Sequence, residues 1–256
     1  MARKTLYKKT SVLTDKIMHY CPGCAHSLTQ KIIAELIEEM GLQKNTIFVA
    51  PVGCAVLLYD YIDCDTVEAA HGRAPAMATA IKRTRPDHFV VSYQGDGDLL
   101  SIGIAETIHA ANRGENITVI FINNAIYGMT GGQMAPTTLI GQVTTTTQKG
   151  RNPETEGYPI RACELLNTLV APYFIERVKL TSSADVIKAK KVLRKAFQNQ
   201  IDGKGYSFVE VLAGCPTNWR MTPADANKWV DEKMTEFYPI KNFRDEGVVK
   251  EASNVK

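Results

Sequence analysis

The first hydrophobic pattern along the chain has the spacing of an amphipathic helix. Apolar residues recur every three or four positions between Leu28 and Met40, and Gly41 follows them, where a left-handed helix cap is favourable. Three later runs, at residues 46–52, 89–93 and 117–122, are short and nearly all apolar or β-branched. Such runs are typical of strands that are buried on both faces of a sheet.

Helical patterns separate these runs. Residues 71–84 and 100–112 have helical periodicity, so strands and helices alternate along the chain. Two further strands, at residues 173–180 and 206–212, enclose a helix at residues 184–198. The sequence therefore predicts an α/β fold with a doubly wound, mostly parallel sheet.

Two segments fall outside this alternation. Residues 128–156 contain a Gly-Gly pair, four consecutive threonines and almost no periodicity, which is typical of a binding loop or lid. After Pro223 the chain is polar with scattered aromatic residues, which indicates a tail that lies on the surface or contacts a partner and frays towards Lys256. We therefore expect one domain over residues 1–222 and a C-terminal extension over residues 223–256.

The composition is that of a globular protein. Of 256 residues, 45% are hydrophobic and 22% are charged, and no apolar run reaches membrane-spanning length. The net charge of +3 is spread along the chain, which argues against a nucleic-acid partner. Residues 1–9 are basic but lack the apolar stretch of a signal peptide, so we expect a cytoplasmic protein. Its six cysteines should then be reduced, and clustered ones are better interpreted as metal ligands or redox groups.

Residues 95–98, with the sequence Gly-Asp-Gly-Asp, follow a predicted strand and precede a helix. At this edge of a parallel sheet, glycines let backbone N–H groups approach phosphate oxygens, and the helix start adds positive potential. Asp96 would repel a phosphate there unless a hard divalent cation such as Mg²⁺ bound both groups. The next predicted strand ends in Asn123-Asn124, which offers a second oxygen ligand.

Each of these two pieces alone has a simpler interpretation. A Gly-Asp-Gly sequence is most often a tight turn, and an Asn-Asn pair is most often a turn or a helix cap. Together, with 25 residues between them, they resemble the metal and diphosphate motif of thiamine diphosphate enzymes. This resemblance implies that Asp96 and Asn124 bind Mg²⁺ through their side chains and that Ile126 binds it through its carbonyl.

Four cysteines fall where loops could bring them together. Cys21 and Cys24 form a Cys-Pro-Gly-Cys sequence, whereas Cys54 and Cys215 each follow a predicted strand. Such a quartet suits an iron–sulfur cluster or a structural zinc site, and the Cys-x-x-Cys pair alone also suits a thioredoxin-like redox pair. The remaining two cysteines are most simply buried small hydrophobic residues: Cys64 and Cys163.

The motifs occur in an order that resembles one family, the β subunits of 2-oxoacid:ferredoxin oxidoreductases. The resemblance covers residues 15–240 and depends on six segments: 19–26, 52–54, 70–74, 95–98, 127–133 and 215–217. It implies a [4Fe–4S] cluster close to thiamine diphosphate. The cluster ligands that it implies are Cys21, Cys24, Cys54 and Cys215.

Other residues of these segments are candidates for contacts with the diphosphate or the substrate. His71 and Arg73 are the candidate catalytic residues, because a cation at this helix start could meet diphosphate oxygens or a substrate carboxylate. A capping histidine and a solvated arginine are the plainer alternative. Thr130 and nearby glycines could donate hydrogen bonds to the phosphates. The expected cofactor-binding residues are Gly53, Cys54, His71, Gly72, Arg73, Gly95, Asp96, Gly97, Asp98, Asn124, Tyr127, Gly128 and Thr130.

The resemblance implies the oxidative decarboxylation of a 2-oxoacid with coenzyme A, which gives acyl-CoA, CO₂ and reduced ferredoxin. The 2-oxoglutarate and branched-chain types match better than the pyruvate type. Thiamine activation requires a carboxylate from a second α/β domain, for which this chain has no room. We therefore expect an α subunit that supplies the activating glutamate, and a ferredoxin or a ferredoxin-like subunit as electron acceptor.

Two other functions stay open. A non-redox thiamine diphosphate decarboxylase subunit would need the metal and diphosphate motif but no cysteine quartet. A zinc-stabilised interaction module would need the cysteines only, and its Gly-Asp-Gly sequence would be a turn.

Overall fold

A seven-stranded sheet runs through the centre of the protein. The structure is a computed structural model, and it describes residues 7–246. In spatial order the strands are β2, β1, β3, β4, β6, β5 and β7, and all are parallel except β7, which is antiparallel to β5. Their bounds are β1 Thr46–Ala50, β2 Asp65–Glu68, β3 Phe89–Gly95, β4 Thr118–Asn123, β5 Phe174–Lys179, β6 Ser207–Leu212 and β7 Asn242–Asp245.

Helices cover both faces of this sheet. The α-helices are α1 Ala25–Glu39, α2 Leu58–Tyr61, α3 Ala74–Thr84, α4 Ile104–Asn112, α5 Pro153–Glu156, α6 Ala162–Leu166, α7 Ser183–Ile201, α8 Pro216–Trp219, α9 Pro223–Trp229 and α10 Thr235–Phe237. A 3₁₀ turn spans Gln43–Asn45, and π-helical segments span Gly97–Ile102 and Val230–Met234. Helices α1 and α7 pack on one face, and α3, α4 and α6 pack on the other.

Alternate residues of the strands serve these two layers. Phe48 and Ala50 of β1 face α1 and α7, whereas Val49 between them faces the opposite layer. The same alternation holds in β4, where Ile120 and Phe121 belong to different core clusters. Because both faces are covered, the central strands are mostly apolar, and this is why the sequence pattern identifies them.

The predicted α/β fold with a doubly wound, mostly parallel sheet is confirmed. Each predicted strand is present with bounds that differ by no more than two residues, and the predicted helices are α1, α3, α4 and α7. Strands β2 and β7 have no counterpart in the sequence prediction. Both are four-residue strands at the edges of the sheet, largely polar and without a fully buried residue, so they lack the apolar run that marks a buried strand.

The order in which strands are added to the sheet changes direction at β1. From β1 the chain continues to β2 on one side and then returns to β3 on the other side. The carboxyl ends of β1 and β3 therefore border a crevice, which is where open α/β sheets bind ligands. None of the helices formed by residues 7–246 combines the length and the hydropathy that crossing a bilayer requires.

The segment from residue 223 to residue 246 packs against the rest of the domain. Val230, Met234 and Tyr238 form a small core with Leu212 and Ala125, and strand β7 pairs with β5. The predicted domain boundary at residue 222 and the role of this segment towards a partner stay predictions. The basic residues 1–6 and the fraying predicted towards Lys256 lie outside the described residues.

The loop predicted at residues 128–156 is irregular apart from the short helix α5. Its organising residue is Arg151, which is buried and donates hydrogen bonds to backbone carbonyls on both sides of the loop. Among them are the carbonyls of Thr138, at 2.6 Å, and Tyr158, at 2.9 Å. The loop therefore has a fixed shape along the edge of the sheet where β3 and β4 end.

Candidate functional site

A cleft opens at the carboxyl ends of β1, β3 and β4. The residues that line it are His26, Val52, Gly53, Cys54, Ala55, His71, Gly95, Asp96, Gly97, Asp98, Asn124, Ile126, Tyr127, Gly128, Met129 and Thr130. Most of the expected cofactor-binding residues are thus brought together, and two of them are not: Gly72 and Arg73.

Three groups that can offer oxygen ligands converge on one side of this cleft. The side-chain amide of Asn124 lies 3.3 Å from Oδ2 of Asp96 and 2.8 Å from the carbonyl oxygen of Ile126. Without a cation, the amide nitrogen faces both atoms and donates a hydrogen bond to each, and half a turn of the amide places its oxygen there instead. We call these atoms of Asp96, Asn124 and Ile126 the oxygen triad.

The oxygen triad has the chemistry and the spacing of a Mg²⁺ site. Adjacent ligands of an octahedral Mg²⁺ ion, each at about 2.1 Å from the metal, are about 3.0 Å apart. The Asn124 amide lies 2.8 and 3.3 Å from the other two oxygen atoms, on either side of that value. With the amide oxygen turned towards the ion, these residues fit the metal that the sequence predicts.

Asp96 is held in place from several directions. Its carboxylate accepts hydrogen bonds from the backbone N–H groups of Gly97, at 2.9 Å, and Ile126, at 3.2 Å, and from the hydroxyl of Thr137, at 2.6 Å. Burial nevertheless raises the pKa of Asp96 to about 6, and the three hydrogen bonds offset only part of that effect. A bound cation would favour the ionised carboxylate.

Asp98 organises the opposite wall of the cleft. Its Oδ1 atom accepts hydrogen bonds from Nδ1 of His71, at 2.6 Å, and from the backbone N–H groups of Gly72, at 2.9 Å, and Val52, at 3.3 Å. Its Oδ2 atom accepts from the side chain of Gln94, at 2.6 Å. One buried carboxylate therefore connects the loops after β1 and β3 to the loop before α3. Because Nδ1 of His71 is bonded to Asp98, the other ring nitrogen, Nε2, is the one left for contact with a ligand.

Arg73 takes no part in the cleft. Its guanidinium pairs with the carboxylate of Glu106 and donates to the carbonyl of Ile102 at 3.4 Å. About half of its side chain is exposed. The solvated arginine of the plainer interpretation is therefore what the structure contains, whereas His71 lies on the cleft wall as the sequence predicts.

The first residues of the long loop pack against the π-helical segment Gly97–Ile102. The Tyr127 hydroxyl donates to the Gly97 carbonyl at 3.3 Å, and the tyrosine ring lies so close to Gly97 that a Cβ atom there would be 2.0 Å from it. Thr130 is exposed at the cleft mouth, where its hydroxyl donates to Gln133. Gly97 is therefore required by the close approach of the Tyr127 ring.

Gly128 lies between two of the predicted cluster ligands. A Cβ atom at this position would lie 3.0 Å from Sγ of Cys54. The Asn218 side chain donates to the Gly128 carbonyl at 2.8 Å and to Sγ of Cys215 at 3.4 Å. Asn218, in α8, is a residue that the sequence pattern does not single out, because an isolated asparagine six positions after a strand carries no motif.

Four of the six cysteines form a group, which we call the four-thiol group: Cys21, Cys24, Cys54 and Cys215. The four thiols are close enough for every pair to interact electrostatically, since a negative charge on one sulfur raises the pKa of another. Burial raises these pKa values more than the neighbouring charges do. The pKa of Cys24 is raised to about 11 and that of Cys54 to about 12. Cys64 and Cys163 respond to other neighbours and lie outside this group.

Within residues 7–246, no three His, Cys, Asp or Glu side chains are close enough together to hold one metal ion. Thiols are the donor type of both zinc sites and iron–sulfur clusters. A tetrahedral zinc ion holds its sulfur ligands about 3.8 Å apart, given Zn–S bonds of about 2.3 Å, whereas a four-iron cluster separates its thiolates more widely.

Aromatic side chains close the back of the cleft beside these thiols. His26 is fully buried, and burial lowers its pKa to about 3, so its imidazole is neutral. Its Nδ1 atom lies 2.7 Å from the Tyr93 hydroxyl, and its ring stacks on Tyr20 with 5.1 Å between the centroids. The position of His26 in the helix directly after Cys24 is the only sequence signal for this contact.

Comparisons with known proteins agree with this arrangement. The family described as "Thiamine pyrophosphate enzyme, C-terminal TPP binding domain" matches residues 51–211. The ketoisovalerate oxidoreductase subunit VorA of Methanothermobacter marburgensis is 55% identical over 227 residues, which cover 89% of this chain and 48% of that protein. The chain thus spans about half the length of this relative.

Two further similarities extend the comparison. The 2-oxoglutarate synthase subunit KorB of Methanocaldococcus jannaschii is 35% identical over 239 residues, which cover 91% of this chain and 84% of that protein. A 2-oxoglutarate:ferredoxin oxidoreductase from Magnetococcus marinus, solved with 2-oxoglutarate, coenzyme A and succinyl-CoA bound, has the same fold. Its TM-score is 0.74 at 23% identity, over 94% of this chain and 85% of that one. The chain therefore belongs to the thiamine pyrophosphate-binding subunits of 2-oxoacid:ferredoxin oxidoreductases.

Proposed function

We propose that this chain is the β subunit of a complex that oxidises a 2-oxoacid with coenzyme A to acyl-CoA and CO₂. The two electrons released would leave one at a time through an iron–sulfur cluster to ferredoxin. The observation that carries the proposal is that the oxygen triad and the four-thiol group border the same cleft, with Cys54 and Asp96 both in its lining. Thiamine diphosphate, the pyrophosphate cofactor of the family, would supply the electron sink for loss of CO₂.

The residues of the cleft have distinct tasks in this proposal. Asp96, Asn124 and the Ile126 carbonyl would hold Mg²⁺, which would neutralise the diphosphate. Thr130 and the glycine N–H groups near it would donate to the phosphate oxygens. His71, oriented by Asp98, would use its Nε2 atom to bind either a diphosphate oxygen or the substrate carboxylate. Arg73 has no place in this site, because it pairs with Glu106.

The four-thiol group would hold a [4Fe–4S] cluster. All four thiols are free, and the buried ones have raised pKa values, so only a strongly positive guest would keep them as thiolates. Low solvent exposure and hydrogen bonds to sulfur, such as that from Asn218, are known determinants of cluster potential.

A branched-chain 2-oxoacid is the substrate that we favour. Relatives named ketoisovalerate oxidoreductase are 53% and 55% identical to this chain, whereas those named for 2-oxoglutarate are 32% to 35% identical. Among the described residues, neither lysine nor arginine lines the cleft, which would leave the distal carboxylate of 2-oxoglutarate without a cation from this chain. An apolar substrate side chain has no such need.

The proposal requires partner subunits. The described residues form a single α/β domain, and the carboxylate that activates thiamine would come from an α subunit that faces the cleft. Ferredoxin, or a ferredoxin-like subunit, would accept the electrons. We place the complex in the cytoplasm, since free cysteines and an oxygen-sensitive cluster suit a reducing compartment.

Metal and cofactor analysis after anaerobic purification tests the proposal. Iron, acid-labile sulfide and bound thiamine diphosphate in the complex would support it. A colourless protein that binds thiamine diphosphate would support a non-redox decarboxylase subunit, and zinc alone would support an interaction module.

An activity assay tests the need for partners. The complex with its α subunit should reduce ferredoxin when it is given 3-methyl-2-oxobutanoate and coenzyme A. The chain alone should not do so. Rapid turnover by the chain alone would overturn the division of the site between two subunits.

A further inference from the structure

We propose that a buried ionic network centred on Arg177 and Glu210 positions the oxygen triad and so sets the affinity of the site for a divalent cation. This inference rests on the proposed function, because it takes the oxygen triad to be the cation site. Neither residue touches the cleft. Both would be positioning residues that act through Asn123 and Tyr238.

The pair at the centre of the network is fully buried. Arg177 of β5 and Glu210 of β6 are paired directly across the sheet, and neither side chain is exposed. The Arg177 Nε atom donates to Glu210 at 2.8 Å, and its Nη2 atom donates to Glu164 at 2.6 Å. Buried ion pairs of this kind seldom stabilise a fold more than apolar residues of similar volume would. The presence of this network beside the site therefore calls for an explanation other than stability.

One arm of the network reaches the turn that carries two members of the oxygen triad. Glu210 accepts a hydrogen bond from the Asn123 amide at 2.8 Å, and the Asn123 oxygen accepts one from the backbone N–H of Ala125 at 3.2 Å. Ala125 has a φ of 55°, in the left-handed region that non-glycine residues rarely adopt. It lies between Asn124 and Ile126, so this conformation turns the Asn124 side chain and the Ile126 carbonyl towards the same point.

A second arm reaches the third member of the oxygen triad. The Tyr238 ring lies 5.3 Å from the Arg177 guanidinium, and the Tyr238 hydroxyl donates to the Thr137 carbonyl at 2.7 Å. The Thr137 hydroxyl in turn donates to Oδ2 of Asp96 at 2.6 Å. Both arms thus start from the Arg177–Glu210 pair. One ends at the turn that carries Asn124 and Ile126, and the other ends at Asp96.

This arrangement explains how the three ligand groups keep their positions before a cation arrives. The left-handed turn at Ala125 favours relaxing to a more common conformation, and the hydrogen bond from the Ala125 N–H group to Asn123 opposes this change. The hydrogen bond from Thr137 holds the Asp96 carboxylate in place. Partners that orient ligands in this way typically change metal affinity 10- to 100-fold.

Mn²⁺ binding to the purified, EDTA-treated complex tests the inference. Free Mn²⁺ is measured by electron paramagnetic resonance in the presence of saturating thiamine diphosphate, and iron content and the unfolding temperature are recorded for each variant. Asn123→Ala should weaken Mn²⁺ binding by about 10- to 100-fold, and Glu210→Gln should weaken it about tenfold, with iron content unchanged.

A rescue variant separates positioning from general damage. If Asn123 acts by holding the turn, Ala125→Gly in the Asn123→Ala background should recover part of the Mn²⁺ affinity, because glycine adopts a positive φ without strain. Gln200→Ala is the matched control. Gln200 is buried and forms hydrogen bonds with Val90 and Thr118 at the amino-terminal ends of β3 and β4, on the side of the sheet away from the cleft. Its loss should lower the unfolding temperature and leave the Mn²⁺ affinity within about twofold of the wild-type value.

The possible results are distinct. Weaker Mn²⁺ binding in both network variants, with recovery in the double variant, would support the inference. Unchanged Mn²⁺ affinity in the Asn123→Ala and Glu210→Gln complexes would overturn it, as would an equal loss in Gln200→Ala. A wild-type complex that binds neither Mn²⁺ nor thiamine diphosphate would instead overturn the proposed function.

Discussion

Nδ1 of His71 lies 2.6 Å from Oδ1 of Asp98, and the same carboxylate also holds Val52, Gly72 and Gln94. Four donors from three segments of the chain therefore meet on one buried side chain. A carboxylate can accept all of them, whereas an amide cannot, because one of its two ends is itself a donor. The relationship fixes the orientation of the imidazole ring and joins two walls of the cleft.

The first prediction concerns this carboxylate. Asp98→Asn should lower the free energy of unfolding by about 1–3 kcal/mol, because at least one buried donor loses its acceptor. It should also weaken thiamine diphosphate binding, since His71 is no longer fixed. Chemical denaturation and a cofactor titration measure the two effects. Asp202→Asn, a change at an exposed carboxylate, serves as the control and should alter neither quantity. A wild-type cofactor affinity in Asp98→Asn would contradict the role given to His71.

The second prediction follows from the raised pKa of Asp96. Burial raises this pKa from 3.8 to about 6, so between these values the folded state holds a proton that the unfolded chain has lost. The metal-free protein should therefore lose stability as the pH rises from about 4 to about 6, by up to about 3 kcal/mol from this group. Denaturation at several pH values should show this decrease in wild type relative to Asp96→Asn. Parallel pH profiles for the two proteins would contradict the assignment.

With a divalent cation the direction reverses. Only the ionised carboxylate binds the cation, so Mn²⁺ affinity should fall about tenfold for each pH unit below 6. A titration of the complex between pH 5 and pH 8 (values chosen on either side of that pKa, about 6) measures this change.

The third prediction distinguishes the four-thiol group from the other cysteines. Cys54→Ser should remove most of the iron from the anaerobically purified complex, because a serine hydroxyl is a much poorer ligand for iron than a thiolate. Cys64→Ser is the matched control. Cys64 is also partly buried and its pKa is also raised to about 12, but it lies beside Asp63 and Asp65 and outside the group. Equal iron contents in the two variants would exclude Cys54 as a ligand.

The fourth prediction compares two glycines of the same motif. A methyl group at Gly97 would meet the Tyr127 ring at 2.0 Å, so Gly97→Ala should lower the free energy of unfolding by about 1–3 kcal/mol. A methyl group at Gly95 meets no atom within 4 Å and faces the cleft. Gly95→Ala should therefore preserve stability and weaken thiamine diphosphate binding. Denaturation and cofactor titration of both variants check this contrast, and equal stabilities would contradict it.

The sequence predicts the centre of the sheet and the position of the cleft, because buried parallel strands are mostly apolar and their ends carry glycine, aspartate and asparagine. This apolar pattern does not identify the edge strands β2 and β7. They are short and polar, and only pairing with their neighbours makes them strands.

The side chains that organise the site from outside are harder to predict. Arg151, Thr137 and Asn218 act through contacts between segments distant in the sequence, and none belongs to a motif. Arg73 shows the opposite case. Its position in the sequence favours a role in the cleft, but its guanidinium pairs with the carboxylate of Glu106 outside the cleft. Pairings of this kind depend on helix packing and not on local pattern.

Anomalous diffraction from crystals of the complex, grown anaerobically with Mn²⁺ and thiamine diphosphate, tests the central claim most directly. The account predicts a manganese signal bounded by Asp96, Asn124 and the Ile126 carbonyl, at the roughly 2.0–2.3 Å typical of hard cations and oxygen. It also predicts an iron signal enclosed by the sulfur atoms of the four-thiol group. Zinc at the thiols, or manganese away from these three oxygen atoms, would contradict it.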